Sequence, residues 1–169
     1  MRTRRATPAD LDALADLFDR YRRFYGKAPD LDRARRFLAD RFRHGESVIF
    51  LALDDEAAVG FVQLYPSFSS IGTSRTFVLN DLFVAADRRR SGAGRALVAA
   101  AVAHARSVGA AGLSLVTGVE NATAQALYEG LGWIRETRFV EYGLSLASAS
   151  RDGDLEDVHA ARTDGGAVG

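Results

Sequence analysis

The stretch from Phe77 to Leu97 constrains the fold more than any other. An apolar, strand-like run (Phe77 to Val84) leads through four arginines and two glycines into an alanine-rich pattern of helical spacing. A strand that delivers the chain to a helix N-terminus presents backbone N–H groups with no intrahelical partner. The helix dipole adds a partial positive charge at the same end. The stretch is therefore read as a site for a diphosphate-bearing ligand, set in a sheet with at least one crossover helix.

The rest of the chain supplies that sheet. A basic strand, Arg2 to Ala6, precedes Thr7-Pro8, where Thr7 can cap and Pro8 suits the first helical turn. Leu11, Leu14, Phe18, Tyr21 and Tyr25 predict a helix over Pro8 to Phe24, stopped by Gly26 and Pro29. A second helix is expected over Asp30 to Arg43. Ser47 to Leu53 and Ala57 to Tyr65 read as a hairpin about the polar turn Asp54-Asp55-Glu56. Pro66 to Thr76, rich in serine, reads as a long loop, and Phe77 to Val84 as the third strand of the meander.

The crossover helix is expected from Gly92 to Val108, with Gly109 as its stop. A short strand buried on both faces, Leu113 to Thr117, follows. A helix over Asn121 to Leu131 and two last strand segments, Trp133-Ile134 and Phe139 to Leu146, complete the domain. The fold class is thus mixed α/β, one domain over residues 1–146. Residues 147–169, poor in large apolar side chains, read as a flexible tail.

Composition removes several function classes. Twenty-two basic residues balance twenty-two acidic ones, so net charge supports neither nucleic-acid nor membrane binding. The chain has no cysteine, which excludes thiolate metal sites and a cysteine nucleophile. His44, His104 and His159 form no ligand-spaced set, so no metal is expected. Without an apolar leader or a long apolar run, the chain reads as cytoplasmic.

The glycine motif is not a nucleotide fingerprint. A dinucleotide loop would need glycine where Leu97 stands and an acid where Val116-Thr117 ends the next strand. A Walker loop would need Gly-Lys-Ser/Thr. What remains is Arg89-Arg-Ser-Gly92-Ala-Gly94, an Arg-x-x-Gly-x-Gly pattern. With the preceding Asp81-Leu-Phe-Val84 and the later Asn121-x-x-Ala-x-x-Leu-Tyr128-x-x-x-Gly132-Trp133, it resembles the GNAT superfamily of N-acyltransferases over about residues 1–146. Its nearest likeness is to the diamine (polyamine) acetyltransferase-like branch.

That resemblance implies a GNAT fold: a central, mostly antiparallel mixed sheet with helices on both faces, splayed at the strand Phe77 to Val84. It implies acetyl-CoA as cosubstrate, its pyrophosphate held by backbone N–H groups of Ser91, Gly92, Ala93, Gly94 and Arg95, with Arg89 and Arg90 adding charge. Arg90 stands where the family usually has glycine. A bulge is expected around Leu82, Phe83 and Val84, whose freed backbone would meet the pantetheine arm and the reaction oxyanion. Tyr128 is implied as the general acid, a role suited to a phenol facing a departing thiolate. Asn121 either caps its helix or contacts the coenzyme arm.

Asp81, among apolar neighbours, must be paired or functional. It is a candidate for binding the acceptor amine or ordering a proton-carrying water, with a structural ion pair to an arginine as the alternative. Asn80 replaces the first acid of the Glu-Asp pair common in the diamine branch. Alternation places Asn80 and Asp81 on opposite faces. Tyr25 and Asn80 are candidate acceptor contacts; Tyr21, Phe24 and Tyr25 could form an aromatic wall for an alkyl ammonium, with core packing the simpler reading of Tyr21. The expected activity is acetyl transfer to a primary amine of a polyamine-like small molecule or a lysine-like side chain, by direct attack. Alternatives are a non-catalytic acyl-CoA sensor and a nucleotide-binding regulator. Relatives in that branch are often homodimers that pair through late strands, which would use Phe139 to Leu146 here.

Overall fold

The computed structural model describes residues 1–144; the expected tail and the end of the last expected strand lie outside them. Five strands form one sheet: β1 (Arg2–Arg5), β2 (Val48–Asp54), β3 (Ala57–Ser69), β4 (Ser74–Val84) and β5 (Gly112–Ser114). They lie in that spatial order, β1 to β4 antiparallel and β5 parallel to β4. Helices α1 (Leu11–Phe24) and α2 (Leu31–His44) precede β2, α3 (Ala93–Ser107) crosses from β4 to β5, and α4 (Ala122–Glu129) follows.

Alternation along the strands builds two cores. In β2, Ile49, Leu51 and Leu53 pack towards α1 and α2. Val48 and Ala52 pack on the other face with Leu97, Val98 and Ala101 of α3. A strand covered on both faces must be apolar nearly throughout, which is why β2 reads as a continuous hydrophobic run. No helix among the described residues is long and apolar enough to cross a membrane.

Four expectations about the strands need correction. The long loop over Pro66 to Thr76 is instead a hairpin end: β3 runs to Ser69, β4 starts at Ser74, and the Ser69 Oγ accepts from the Gly72 N–H at 3.0 Å. Pro66 is tolerated there because the β2 partner stops at the Val48–Leu64 pair, so no ladder bond needs its missing N–H on that edge. The strand expected over Leu113 to Thr117 pairs only from Gly112 to Ser114. Leu113 and Leu115 are half-buried, not buried on both faces.

Neither Trp133-Ile134 nor the described part of Phe139 to Leu146 is a strand. The Glu136 carboxylate accepts from the N–H groups of Thr137 and Arg138 at 2.9 and 2.7 Å, a local turn that competes with extended pairing.

The fourth correction bears on the site. The irregularity of β4 is at Asn80, not Leu82 to Val84: Gln63 pairs with Asp81 and Leu64 with Leu79, leaving Asn80 as the extra residue. Leu82, Phe83 and Val84 pair in step with Val62, Phe61 and Gly60. The bulge resets the alternation, so Leu79 and Leu82 share one core although three positions apart.

Gly60 shows how closely β3 and β4 approach. A Cβ there would lie 2.6 Å from the Phe83 carbonyl oxygen and 3.3 Å from the Val84 Cα. Gly60→Ala is expected to destabilise the fold by about 1–3 kcal/mol, since backbone has to yield. Urea unfolding checks it; an unchanged midpoint would mean that β4 shifts freely.

Candidate active site

The bulge at Asn80 opens a cavity of about 280 Å³ between β4 and the first two helices. Phe18, Tyr21, Tyr25, Phe37 and Tyr65 form aromatic walls, and Asn80 and Asp81 both face into it. The expected placement of these two on opposite faces is overturned, because an extra residue in the strand cancels one step of alternation. Phe18 stacks on Phe37 at 5.4 Å, which ties α1 to α2 and fixes the cavity's outer wall.

Asp81 is 5% exposed. Burial raises its carboxyl to about 6, while hydrogen bonds from the Tyr21 hydroxyl and from Asn80, the latter at 3.2 Å, hold back a larger rise. Among the described residues no arginine pairs with it, so the expected alternative of a structural ion pair is not realised. The Tyr65 hydroxyl is pushed up by burial first and then by the nearby Asp81 charge. A carboxylate poised near neutrality beside two phenols can hold an ammonium or take a proton through water.

A second cavity of about 250 Å³ lies on the other side of Asn80, lined by Val78, Leu79, Ser114, Leu115, Val116 and Glu141 as well as Asn80 itself. It exists because β5 follows β4 only as far as the Val78–Ser114 pair. Beyond that point the strands part, and alternate backbone groups of β4 face the gap instead of β3. The splay expected for Phe77 to Val84 is present. Leu82, Phe83 and Val84 are themselves buried and line neither cavity with their side chains.

The turn after β4 presents groups that could hold an anion. Arg90 takes φ +60° and Gly92 φ +85°, and α3 starts at Ala93 with Ala96 N–H donating to the Gly92 carbonyl at 3.0 Å. The N–H groups ahead of Ala96 have no helical acceptor. The Ser91 hydroxyl donates to the Arg88 carbonyl at 2.7 Å, which closes the loop. Arg90 and Arg95 are exposed, and Arg89 is half-buried with its guanidinium 5.3 Å from the Phe24 ring.

Arg88, by contrast, is engaged by Asp54 at 2.8 Å. Among the described residues, two buried polar atoms, Arg89 Nε and Thr117 Oγ1, have no hydrogen-bond partner. The unpaired Arg89 Nε, within a basic, small-residue loop, suits a polyanionic ligand that would satisfy it.

Tyr128 lies on α4, 3% exposed, its ring 5.7 Å from that of Trp133. Burial pushes its hydroxyl up, and the neighbouring Tyr25 adds to the rise, so the phenol keeps its proton. It belongs to the core shared by Leu79, Leu82 and Val84 and lines neither cavity. Asn121 Oδ1 accepts from the Ala124 N–H at 3.1 Å and thus caps α4, one of its two expected roles.

Tyr25, Asn80 and Asp81 are therefore brought together, and the loop from Arg89 to Arg95 opens α3 as expected. Sequence reasoning missed Tyr21 as the partner of Asp81, Tyr65 as a wall, and the cations Arg22, Lys27 and Arg33 that line the first cavity. The short spacing of Tyr21 to Tyr25 on one helix face was the available signal for the first of these.

Comparison with known proteins fits this geometry. The family model for the acetyltransferase (GNAT) family matches residues 11–133. The chain is 44% identical over 146 residues to the uncharacterized N-acetyltransferase YhfO of Bacillus subtilis (strain 168), covering 86% of this chain and 98% of that one. It is 31% identical over 147 residues to the aminoglycoside N(6')-acetyltransferase type 1 of Stenotrophomonas maltophilia, covering 85% and 92%. A crystal structure described as that of a "probable acetyltransferase" superposes with a TM-score of 0.83 at 42% identity, over 88% of this chain and 100% of that one. With a splayed sheet and matches of this extent, the chain belongs to the GNAT family and is an acyl-CoA-dependent N-acetyltransferase.

Proposed function

We propose that the two cavities are the acceptor and donor halves of one active site, meeting at Asn80. Their shared lining residue carries this reading: an amine entering from the α1–α2 side and a thioester entering from the β4–β5 gap would meet at the bulge. The acceptor is a primary amine, either of a polyamine-like small molecule or of a lysine-like side chain. The loop from Arg89 to Arg95 holds the pyrophosphate of acetyl-CoA, and the β4–β5 gap receives the pantetheine arm, which Asn121 contacts besides capping α4.

Asp81, alone or through an ordered water, takes the proton from the acceptor ammonium. The free amine attacks the thioester carbonyl carbon, forming the C–N bond, while backbone N–H groups of Leu82 to Val84 that face the gap hold the oxyanion. Collapse breaks the C–S bond, Tyr128 gives its proton to the departing thiolate, and the second proton lost by the attacking nitrogen passes through solvent and returns the tyrosinate to its phenol form. No acyl-enzyme forms, in keeping with the absence of cysteine.

The test is acetyl-CoA-dependent thiol release over a panel of polyamines, amino acids, aminoglycosides and basic peptides. We expect turnover with a subset of primary amines and intersecting double-reciprocal lines, the signature of a ternary complex. Parallel lines would indicate a covalent intermediate and sink the direct-attack mechanism.

A further inference from the structure

Asn80 lines both cavities, and Asp81 decides which way its amide points. The Asn80 Nδ2 donates to Asp81 Oδ1 at 3.2 Å, while among the described residues no group donates to the Asn80 Oδ1. A carboxylate accepts from the amide nitrogen and repels the amide oxygen, so an ionised Asp81 holds the amide in this sense. Asn80 is the extra residue of the bulge, between the Leu64–Leu79 and Gln63–Asp81 pairs, which is how two neighbours in sequence come to share one cavity. The side chain is half-buried and leaves one hydrogen-bond acceptor, Oδ1, for a ligand between the two halves of the site.

The chemistry needs an acceptor there. When Asp81 takes a proton from a primary ammonium, the lone pair so formed points back at Asp81, away from a thioester arriving through the β4–β5 gap. The nitrogen has to turn about its C–N bond before it attacks, and an amine held by one contact has no preferred direction of turn. Two acceptors remove that freedom. The carboxyl of Asp81 engages one N–H through its free oxygen, a second acceptor takes the other N–H, and only the lone pair remains for the carbonyl carbon.

We propose that Asn80 is a catalytic residue that orients the attacking nitrogen, its Oδ1 accepting one N–H of the bound amine while its Nδ2 stays on Asp81. This rests on the reading of the two cavities as acceptor and donor halves. It concerns the reacting nitrogen alone and so applies to every primary amine in the range given above.

An analogue in which the sulfur of coenzyme A is joined through an acetyl bridge to one nitrogen of putrescine tests the contact. It carries an N–H where the reacting nitrogen would lie, whatever the natural acceptor. We expect the wild type to bind it more tightly than coenzyme A in calorimetry. In Asn80→Ala the ratio of analogue to coenzyme A affinity should fall about tenfold, and in Asn80→Asp, which keeps an acceptor oxygen, it should stay within about threefold. If Asn80→Ala does not fold, Asn80→Leu replaces it as the variant without an acceptor.

The pH–rate profile of thiol release with putrescine separates orientation from an indirect action through Asp81. Loss of the Nδ2 donor alone raises the Asp81 pKa and moves the acid limb to higher pH, with the plateau above it intact. The other groups that face Asp81 in the first cavity, Tyr21, Arg22, Lys27, Arg33 and Tyr65, are the same in every variant. We expect Asn80→Ala to lower the plateau kcat itself by about tenfold or more, and Asn80→Asp to recover most of it at about pH 9.

A plateau left intact by Asn80→Ala, with only the limb moved, overturns the proposal and leaves acetyl transfer at this site standing. An unchanged affinity ratio does the same, and decides the matter alone if putrescine is not turned over. An analogue that binds the wild type no more tightly than coenzyme A overturns the proposal together with the reading of the first cavity as the acceptor site.

Discussion

Tyr128→Phe is expected to lower kcat by about 10²–10⁴-fold, the usual range for a positioned general acid, while the Kd for coenzyme A stays within about twofold. The substitution removes one oxygen and keeps the ring that packs against Trp133 at 5.7 Å, so the fold of α4 should be retained. The departing thiolate has a conjugate acid near a pKa of about 8.5, close enough to a phenol for proton donation as the C–S bond breaks. Burial and Tyr25 push the Tyr128 hydroxyl up, which makes it a weaker acid in isolation but keeps it protonated throughout the working pH range. The wild-type profile should therefore show no alkaline decline from this residue below about pH 10. Single-turnover acetyl transfer with saturating acetyl-CoA, alongside direct binding of coenzyme A, separates chemistry from affinity. An unchanged single-turnover rate would remove Tyr128 from the mechanism.

Elements with local causes were legible in the sequence. The ends of α1 and α2 follow from Pro8, Gly26, Pro29 and the Asp30 cap. The opening of α3 follows from glycines that permit the φ of +85° found at Gly92. What escaped was set by pairing between distant segments. The bulge at Asn80 adds one residue between apolar stretches that are covered on both faces. No polar–apolar alternation survives there to show the slip. Its consequence, Asn80 and Asp81 in one cavity, was hidden for the same reason.

The serines of residues 66–76 suggested a loop by composition, yet their backbone continues the β3–β4 ladder to the Ser69–Ser74 pair. Tyr21 looked like core because most of it is: its ring packs on Phe61 and Phe83 at 5.8 and 6.0 Å. Only its hydroxyl reaches Asp81.

Asp81→Asn should make the protein more stable near pH 8 and far less active, and the two effects share one cause. The carboxyl titrates at about 6 in the fold against 3.8 for the free side chain, with burial the largest cause. A raised folded pKa means that the native state binds its proton more tightly than the unfolded chain does. The contribution to stability is therefore fully present below pH 3.8 and is lost as pH rises through about 6. At about 1.4 kcal/mol per pKa unit, the ionised group costs the fold roughly 3 kcal/mol above that window.

Asparagine has nearly the same shape and carries no charge, so the variant should gain up to about 3 kcal/mol at pH 8 and almost nothing at pH 4. Part of that gain is offset if the new amide N–H groups lack acceptors in the cavity. In activity, the wild type should rise through about pH 6 to a plateau as Asp81 ionises. The variant should lose that limb and fall by about 10²-fold or more in kcat/KM. Thermal or urea unfolding at pH 4 and 8 and a pH–rate profile check both halves. If the variant were no more stable at pH 8, Tyr21 and Asn80 would already compensate the charge fully. If activity were unchanged, the amine would lose its proton elsewhere. Should both halves hold, Asp81 is a buried acid that the fold would be more stable without, the stability–activity trade-off that a catalytic carboxylate at the proposed acceptor site requires.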